Sequence, residues 1–98
     1  MRFDIEKSKF VFRVHALKRM SERGFSPKEI RAALVVATVI EDYPNDTPYP
    51  SALMLGWISQ RPVHVVIARN EADQECIIIT VYEPDSVKWQ AGYTRRKL

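Results

Sequence analysis

The side chains in this chain that suit proton transfer or phosphate binding are two histidines, several arginines, a threonine and a tyrosine. The candidate catalytic residues are His15, Arg19, Glu22, Arg23, His64, Thr80 and Tyr82. Histidine carries protons near neutral pH, and the guanidinium fork of arginine suits phosphate oxygens. Together these types indicate metal-independent RNA cleavage. In that reaction a base deprotonates the 2′-hydroxyl, an acid protonates the leaving 5′-oxygen, and cations stabilise the phosphate.

Three of the candidates lie on one predicted helix. His15, Arg19 and Glu22 are spaced i, i+4 and i+7, which places them on one helical face. Other readings of the same residues stay open. His15 could cap or pack, Arg19 and Glu22 could form an ordinary surface pair, and Arg23 could simply suit a helix C-terminus. His64 and Tyr82 could likewise be a cross-strand pair with no chemical role.

Metal and cofactor chemistry find little support in the sequence. The two histidines and the single cysteine have unrelated spacings, and no group of carboxylates resembles a magnesium site. The chain contains no GxGxxG, P-loop, GxSxG or HExxH motif. We therefore predict that the protein uses no cofactor and no metal. Cys76 is expected to be a small buried hydrophobe, and one cysteine suits a reducing compartment.

Basic residues concentrate near the first predicted helix and near residue 98, in a chain of net charge +3. Such patches suit a polyanion or an acidic protein partner, although solvated surface charge is the alternative. The predicted binding residues are Lys18, Trp89, Arg95, Arg96 and Lys97.

Helix signals are the clearest local features. Val14 to Arg23 shows an apolar stripe of period 3.6, and Gly24 is the expected terminator. A second helix should begin at Ser26, because Ser26 and Glu29 form a capping box around Pro27.

Strand signals occupy most of the remaining chain, over residues 38–43, 51–58, 63–69 and 76–82. Lys9 to Arg13 fits either a short edge strand or an extended lead-in. Three apolar rows are expected to face the helices: Leu53, Leu55 and Trp57, then Val63, Val65 and Ile67, then Ile77, Ile79 and Val81. Leu17, Ile30, Ala33 and Leu34 are the helix residues expected to cover those rows. The opposite face then places His64 beside Thr80 or Tyr82.

The predicted fold class is α+β, with two N-terminal helices packed on one face of a four-stranded antiparallel sheet. At 98 residues the chain is the size of one domain, and its tail from about residue 92 is basic and expected to be mobile. The N-terminal residues lack the apolar core of a secretory signal, and no apolar stretch approaches the length of a membrane span. We therefore expect a cytoplasmic protein without a membrane partner.

The run from His15 to Ser26, HALKRMSERGFS, resembles the HALxRMxERGI signature of a small bacterial family labelled a domain of unknown function (DUF4258). The segment PVHVV at 62–66 is similar to the family's plHvV. The segment ITVY at 79–82, with Pro84, Asp85 and Trp89, is similar to its iiTvY.pd..W. The resemblance spans about residues 14–89. Arg13 stands where a serine or threonine cap is more usual, and Phe25 replaces the commoner isoleucine.

This family is similar to the RelE/ParE-type toxins, whose wider fold group includes metal-independent ribonucleases. The resemblance implies a RelE-like fold, an endoribonuclease toxin, RNA as substrate and a small antitoxin protein as partner. A homodimer is also open. The alternative from a different class is a non-catalytic module that binds a protein or nucleic acid through its basic surface, since fold alone does not determine function.

Overall fold

The computed structural model describes residues 4–96, and within that range the chain forms two helices and five strands. In chain order these are β1 (Lys9–Phe12), α1 (Val14–Arg23), α2 (Pro27–Val35), β2 (Thr38–Tyr43), β3 (Ser51–Ile58), β4 (Arg61–Asn70) and β5 (Glu75–Tyr82). The α+β prediction is therefore confirmed, and each predicted helix and strand is present within about two residues of its expected bounds.

The five strands form one mixed sheet in the order β1-β5-β4-β3-β2. The predicted sheet of four antiparallel strands is wrong, because β1 adds a fifth strand parallel to β5, with Lys9 opposite Glu75 and Phe12 opposite Ile78. A strand therefore precedes the two helices. The backbone groups of the lead-in segment need partners, and the edge of β5 that β4 leaves open provides them.

The end of α1 and the start of α2 coincide with the local signals in the sequence. Gly24 adopts a left-handed conformation with φ of 75° after α1. At the start of α2 the predicted capping box is confirmed. The Glu29 backbone N–H donates to Ser26 Oγ at 3.1 Å, and the Ser26 N–H donates to Glu29 Oε1 at 2.9 Å. Arg13 precedes α1 without a side-chain capping bond, as its departure from the usual serine or threonine implies.

The helices cover one face of the sheet, but β3 turns the opposite way from the prediction. Met54 and Ile58 belong to the core that includes Ile30, Ala33 and Leu34, and a Cβ added at Gly56 would lie 3.1 Å from the Ala33 Cβ. Leu53, Leu55 and Trp57 therefore face away from the helices, and Trp57 is 49% exposed. Leu17, expected in the core, is also exposed.

The face assignment of β4 is confirmed, whereas β5 changes phase in its middle. Val65 pairs with Val81 and Ile67 pairs with Ile78, so one additional residue, Ile79, is inserted as a bulge. Ile78 and Val81 consequently both join the core beneath the helices. Ile77 is buried outside that core, and Ile79 is only half-buried. A period-two pattern cannot anticipate this shift, because the residues on both sides of the bulge are apolar.

The sheet face opposite the helices is partly covered by the chain that follows β5. The rings of Trp57 and Tyr93 meet edge to face at 6.2 Å, and the rings of His64 and Trp89 meet at 4.4 Å.

Among the described residues no helix is long and apolar enough to cross a membrane.

Candidate active site on the sheet face and edge

His15 and Thr80 meet at the edge of the sheet, just beyond the end of β1. The Arg13 N–H donates to the Ile78 carbonyl at 3.0 Å, which fixes the start of α1 against β5. One residue into the helix, His15 Nε2 lies 3.1 Å from Thr80 Oγ1, within hydrogen-bond distance. The His15 side chain is exposed, so solvent and a substrate can reach it. We call His15 and Thr80 the edge pair.

The other predicted residues of α1 continue along the helix from the edge pair. Arg19 and Glu22 form an ion pair of 3.5 Å, and their side chains are about half exposed, at 53% and 50%. Lys18 and Arg23 are also exposed. The ion pair agrees with the surface-pair reading, and the exposure leaves the Arg19 guanidinium available to an anion.

His64 is fully buried and both of its ring nitrogens have partners. Its Nε2 lies 2.8 Å from the carbonyl oxygen of Tyr93, and its Nδ1 lies 3.1 Å from the hydroxyl of Tyr82. Because a carbonyl only accepts, Nε2 carries the proton and donates to Tyr93. Nδ1 then accepts from the Tyr82 hydroxyl. The expected proximity of His64 to Tyr82 is confirmed, and His64 ties the C-terminal segment to the sheet.

Trp89 and Arg96 complete this attachment, which we call the latch (His64, Tyr82, Trp89, Tyr93 and Arg96). Trp89 is buried with its ring at 88° to that of His64, and the Arg96 guanidinium lies 5.1 Å from the Trp89 ring centroid. Trp89 and Arg96 also form a β-bridge, beside a hydrogen bond of 2.8 Å from the Gln90 N–H to the Arg95 carbonyl. The expected mobile tail therefore folds back through Arg96. Lys97 lies outside the described residues.

Burial and charge shift the pKa values of the two titratable groups in the latch. Burial lowers the pKa of His64, the hydrogen bond to the Tyr93 carbonyl opposes that effect in part, and the nearby charge of Arg96 lowers the pKa further. Burial raises the pKa of Tyr82, with Arg96 opposing and Glu41 adding to the shift. At neutral pH, His64 is therefore uncharged and Tyr82 keeps its proton.

The edge pair and the latch are neighbours on β5. Thr80 and Tyr82 are two residues apart on one strand, so their side chains project from the same side. His15 bonds to the first of them and His64 to the second. The two histidines thus approach the same stretch of strand, one from solvent and one from within the fold.

Two residues that hold the site together, Tyr93 and Arg61, were not predicted from the sequence. Tyr93 contributes its backbone carbonyl to His64, a role that no side-chain type indicates. Arg61 lies just outside the strand predicted over residues 63–69, and its guanidinium bonds to Glu83 at 2.7 Å and to the Arg23 carbonyl at 2.9 Å. It also lies 4.2 Å from the centroid of the Phe25 ring.

Arg61 holds the end of α1 to the end of β5 and keeps its partner, Glu83, ionised. Its hydrogen bond and positive charge lower the pKa of Glu83, and the charge of Arg23 adds to that effect. The two ends of the α1–β5 contact are therefore fixed, by Arg13 at Ile78 and by Arg61 at Glu83.

Within residues 4–96 no three histidine, cysteine, aspartate or glutamate side chains lie close enough together to hold a metal ion. Cys76 is buried, and burial raises the pKa of its thiol to about 12. It is therefore a protonated core residue at neutral pH, consistent with the role expected from the sequence.

Comparison with known proteins adds the family. A family model described as "Domain of unknown function (DUF4258)" matches residues 12–83, which include both histidines, Thr80 and Tyr82. No curated protein and no solved structure matches the chain significantly. Because the match covers well over half of its residues, this chain belongs to the DUF4258 family.

Proposed function

We propose that this protein is a metal-independent endoribonuclease, and that it acts as the toxin of a bacterial toxin–antitoxin pair with a RelE-like mode of action. The observation that carries the proposal is the edge pair. An exposed histidine is held at 3.1 Å from a threonine hydroxyl that is distant in sequence, beside a tyrosine hydroxyl on the same strand. Proton transfer in RNA cleavage needs such groups in an accessible position.

His15 is the general base in this proposal. It accepts the proton of the 2′-hydroxyl, whose oxygen attacks the phosphorus while the bond to the 5′-oxygen breaks. Tyr82 is protonated at neutral pH, and its O–H turns from His64 Nδ1 to the leaving oxygen and gives up its proton there. Thr80 orients His15. The products are a 2′,3′-cyclic phosphate and a 5′-hydroxyl, and the cycle closes when water carries the proton from His15 to the Tyr82 phenolate.

His64 is a positioning residue in this mechanism, because its nitrogens are both occupied within the fold. Its Nδ1 holds the Tyr82 hydroxyl, and its Nε2–H holds the segment that carries Trp89 and Arg96. Arg19 and Arg23 supply positive charge along α1 for the phosphate, and Glu22 orients Arg19 through their ion pair. Lys18, Arg95 and Arg96 would bind the flanking phosphates, and Trp89 supports Arg96.

The test is cleavage of RNA by purified protein in the presence of EDTA, with the ends of the products identified. We expect cyclic phosphate ends, and a rate that falls roughly 10²–10⁴-fold in His15→Ala. Tyr82→Phe should lose a similar factor, because only the hydroxyl is removed. Lys28→Ala is the matched surface control and should cleave at the wild-type rate.

Three results would count against the proposal. Inhibition by EDTA would contradict the metal-independent mechanism. Full activity in His15→Ala would show that His15 is not the general base. A wild-type protein that is inert on RNA and harmless when expressed in bacteria would favour the second candidate, a non-catalytic binding module. The full occupancy of the His64 nitrogens favours that candidate, since a buried, saturated histidine is also what a purely structural latch requires.

The partner in this proposal is a small antitoxin with an acidic segment that covers Arg19 and Arg23. Electrostatic attraction should then make association fast and salt-dependent. Measurement of the association rate with the product of the neighbouring gene, at low and high salt, tests this. Replacing both arginines with alanine should reduce the rate and its salt dependence, whereas Lys28→Ala should leave both unchanged. Equal association rates in the wild type, the double arginine variant and Lys28→Ala would show that α1 is not part of the interface.

A further inference from the structure

The opposite edge of the sheet carries a second surface, distant from the edge pair. β2 is the last strand in the order, and within residues 4–96 no strand pairs with its outer edge. Its residues are almost all exposed. β3 and β4 separate the outer edge of β2 from the edge pair, although the charge of Glu41 still acts on Tyr82. An open strand edge offers a row of backbone donors and acceptors to another chain.

Exposed apolar side chains lie directly beside this edge. Val36 is 81% exposed in the short connection between α2 and β2, and Val39 is 39% exposed within β2. Next to Val36 a groove of about 290 Å³ opens between α2 and the end of β3, with Trp57, Ile58 and Ala32 in its lining. Apolar groups rarely cluster on a surface that has no partner.

The charge of this part of the chain is opposite to that of the rest. Residues 32–60 contain three acidic residues, Glu41, Asp42 and Asp46, and no lysine or arginine. All fifteen basic residues and the other nine of the twelve acidic ones lie elsewhere. Asp42 is paired with Arg69, but no ion pair in the described part of the chain includes Glu41 or Asp46. The chain segment around β2 is therefore acidic on a protein that is basic overall. Among the described residues, its Glu41 and Asp46 carboxylates accept hydrogen bonds only from the hydroxyls of Tyr43 and Ser51.

We propose that the outer edge of β2 binds an extended, basic peptide segment of another protein. The segment adds a strand to the sheet, its backbone pairs with β2, and one of its apolar side chains enters the groove beside Val36 and Trp57. Its lysines or arginines face Glu41 and Asp46 and select it against acidic segments. This surface would allow the protein to hold a basic partner while α1 and β5 engage an anionic one.

The probe is a short capped peptide that alternates lysine and valine, titrated into the full chain by calorimetry and by backbone amide shifts. We expect saturable binding with shifts confined to β2, Val36 and Trp57. A peptide that alternates glutamate and valine should bind more weakly by tenfold or more. High salt should weaken binding of the basic peptide, because part of its affinity is electrostatic.

Matched variants separate the apolar contribution to peptide binding from the electrostatic one. Val36→Ser should weaken binding by roughly tenfold, as expected for loss of a buried valine contact, whereas Val14→Ser, at a similarly exposed valine, should not. Glu41→Gln should weaken it by about twofold to fivefold, and Glu71→Gln should not.

Several results would overturn the proposal: no binding, equal binding of the acidic peptide, or shifts centred on α1. Self-association of the protein through β2, seen as a concentration-dependent mass that Val36→Ser abolishes, would also overturn it, because a second copy would then be the occupant. These outcomes are read from peptide binding and molecular mass, so they are distinguishable from a failure of RNA cleavage, whose proposed acid, Tyr82, feels the charge of Glu41.

Discussion

The latch makes a quantitative prediction about His64. Two substitutions separate its packing from its hydrogen bonds. His64→Phe keeps an aromatic ring against Trp89 but removes both polar atoms, whereas His64→Ala also leaves a cavity in a fully buried position. The exposed His15, whose side chain has one hydrogen bond, to Thr80, provides the comparison as His15→Ala.

The magnitudes follow from the groups left without partners. In His64→Phe the Tyr93 carbonyl and the Tyr82 hydroxyl each lose a bond, and an unsatisfied buried group costs about 1–3 kcal/mol. Tyr82 is only half-buried and can bind water, so we expect a loss of about 2–3 kcal/mol in unfolding free energy. His64→Ala adds the cavity and should cost about 3–5 kcal/mol. His15→Ala should cost less than about 1 kcal/mol.

Urea unfolding gives the free energies, and amide hydrogen exchange shows where the loss acts. In His64→Phe we expect faster exchange at the Gln90 and Tyr93 N–H groups, which are hydrogen-bonded within the C-terminal segment. Helix α2, on the other face of the sheet, should keep its protection. A change below about 0.5 kcal/mol, or unchanged exchange in that segment, would refute the conclusion that His64 fastens it.

Three further predictions concern pH, packing and capping. Because the folded pKa of His64 is lowered, the stability that its neutral form provides is complete above the unfolded value of 6.5 and is lost as the pH falls below it. Unfolding free energy should therefore decline as the pH falls below that value in the wild type, and the decline should be smaller in His64→Phe. Gly56→Ala should lower the melting temperature and cost about 1–3 kcal/mol, because the added Cβ meets the Ala33 Cβ at 3.1 Å; a neutral result would mean that α2 moves away without cost. Ser26→Ala should cost about 0.5–2 kcal/mol in thermal melts through loss of the bond from the Glu29 N–H, and no change would show that packing alone fixes the start of α2.

The elements that sequence predicted well are those specified by local chemistry. The start of α2 depends on Ser26, Pro27 and Glu29, which are adjacent in the chain, and the end of α1 depends on Gly24. Such signals act over one helical turn, so they can be recognised without knowledge of the fold. The proximity of His64 to Tyr82 was predictable for a similar reason, since strand alternation and short turns restrict the register.

The elements that sequence missed depend on distant parts of the chain. β3 is apolar on both faces, so alternation could not show whether Leu55 or Met54 meets the helices. The bulge at Ile79 changes phase between two apolar stretches and leaves no pattern. The partner of β1 lies far along the chain at β5, and the site depends on the Tyr93 carbonyl, which every residue type possesses.

The parallel pairing of β1 with β5 has a consequence for the order of folding. Residues 9–12 align with residues 75–78, so β1 has no strand partner until almost the whole of the intervening chain has been synthesised. Closing so long a loop is entropically costly, and contacts of high sequence separation slow the folding of small domains. On a ribosome, Phe10 and Phe12 therefore lack their neighbours on β5 while both helices and three other strands emerge. The segment that positions His15 at Thr80 is thus made before its partner strand and docks late, and the edge pair forms only when synthesis has passed Thr80.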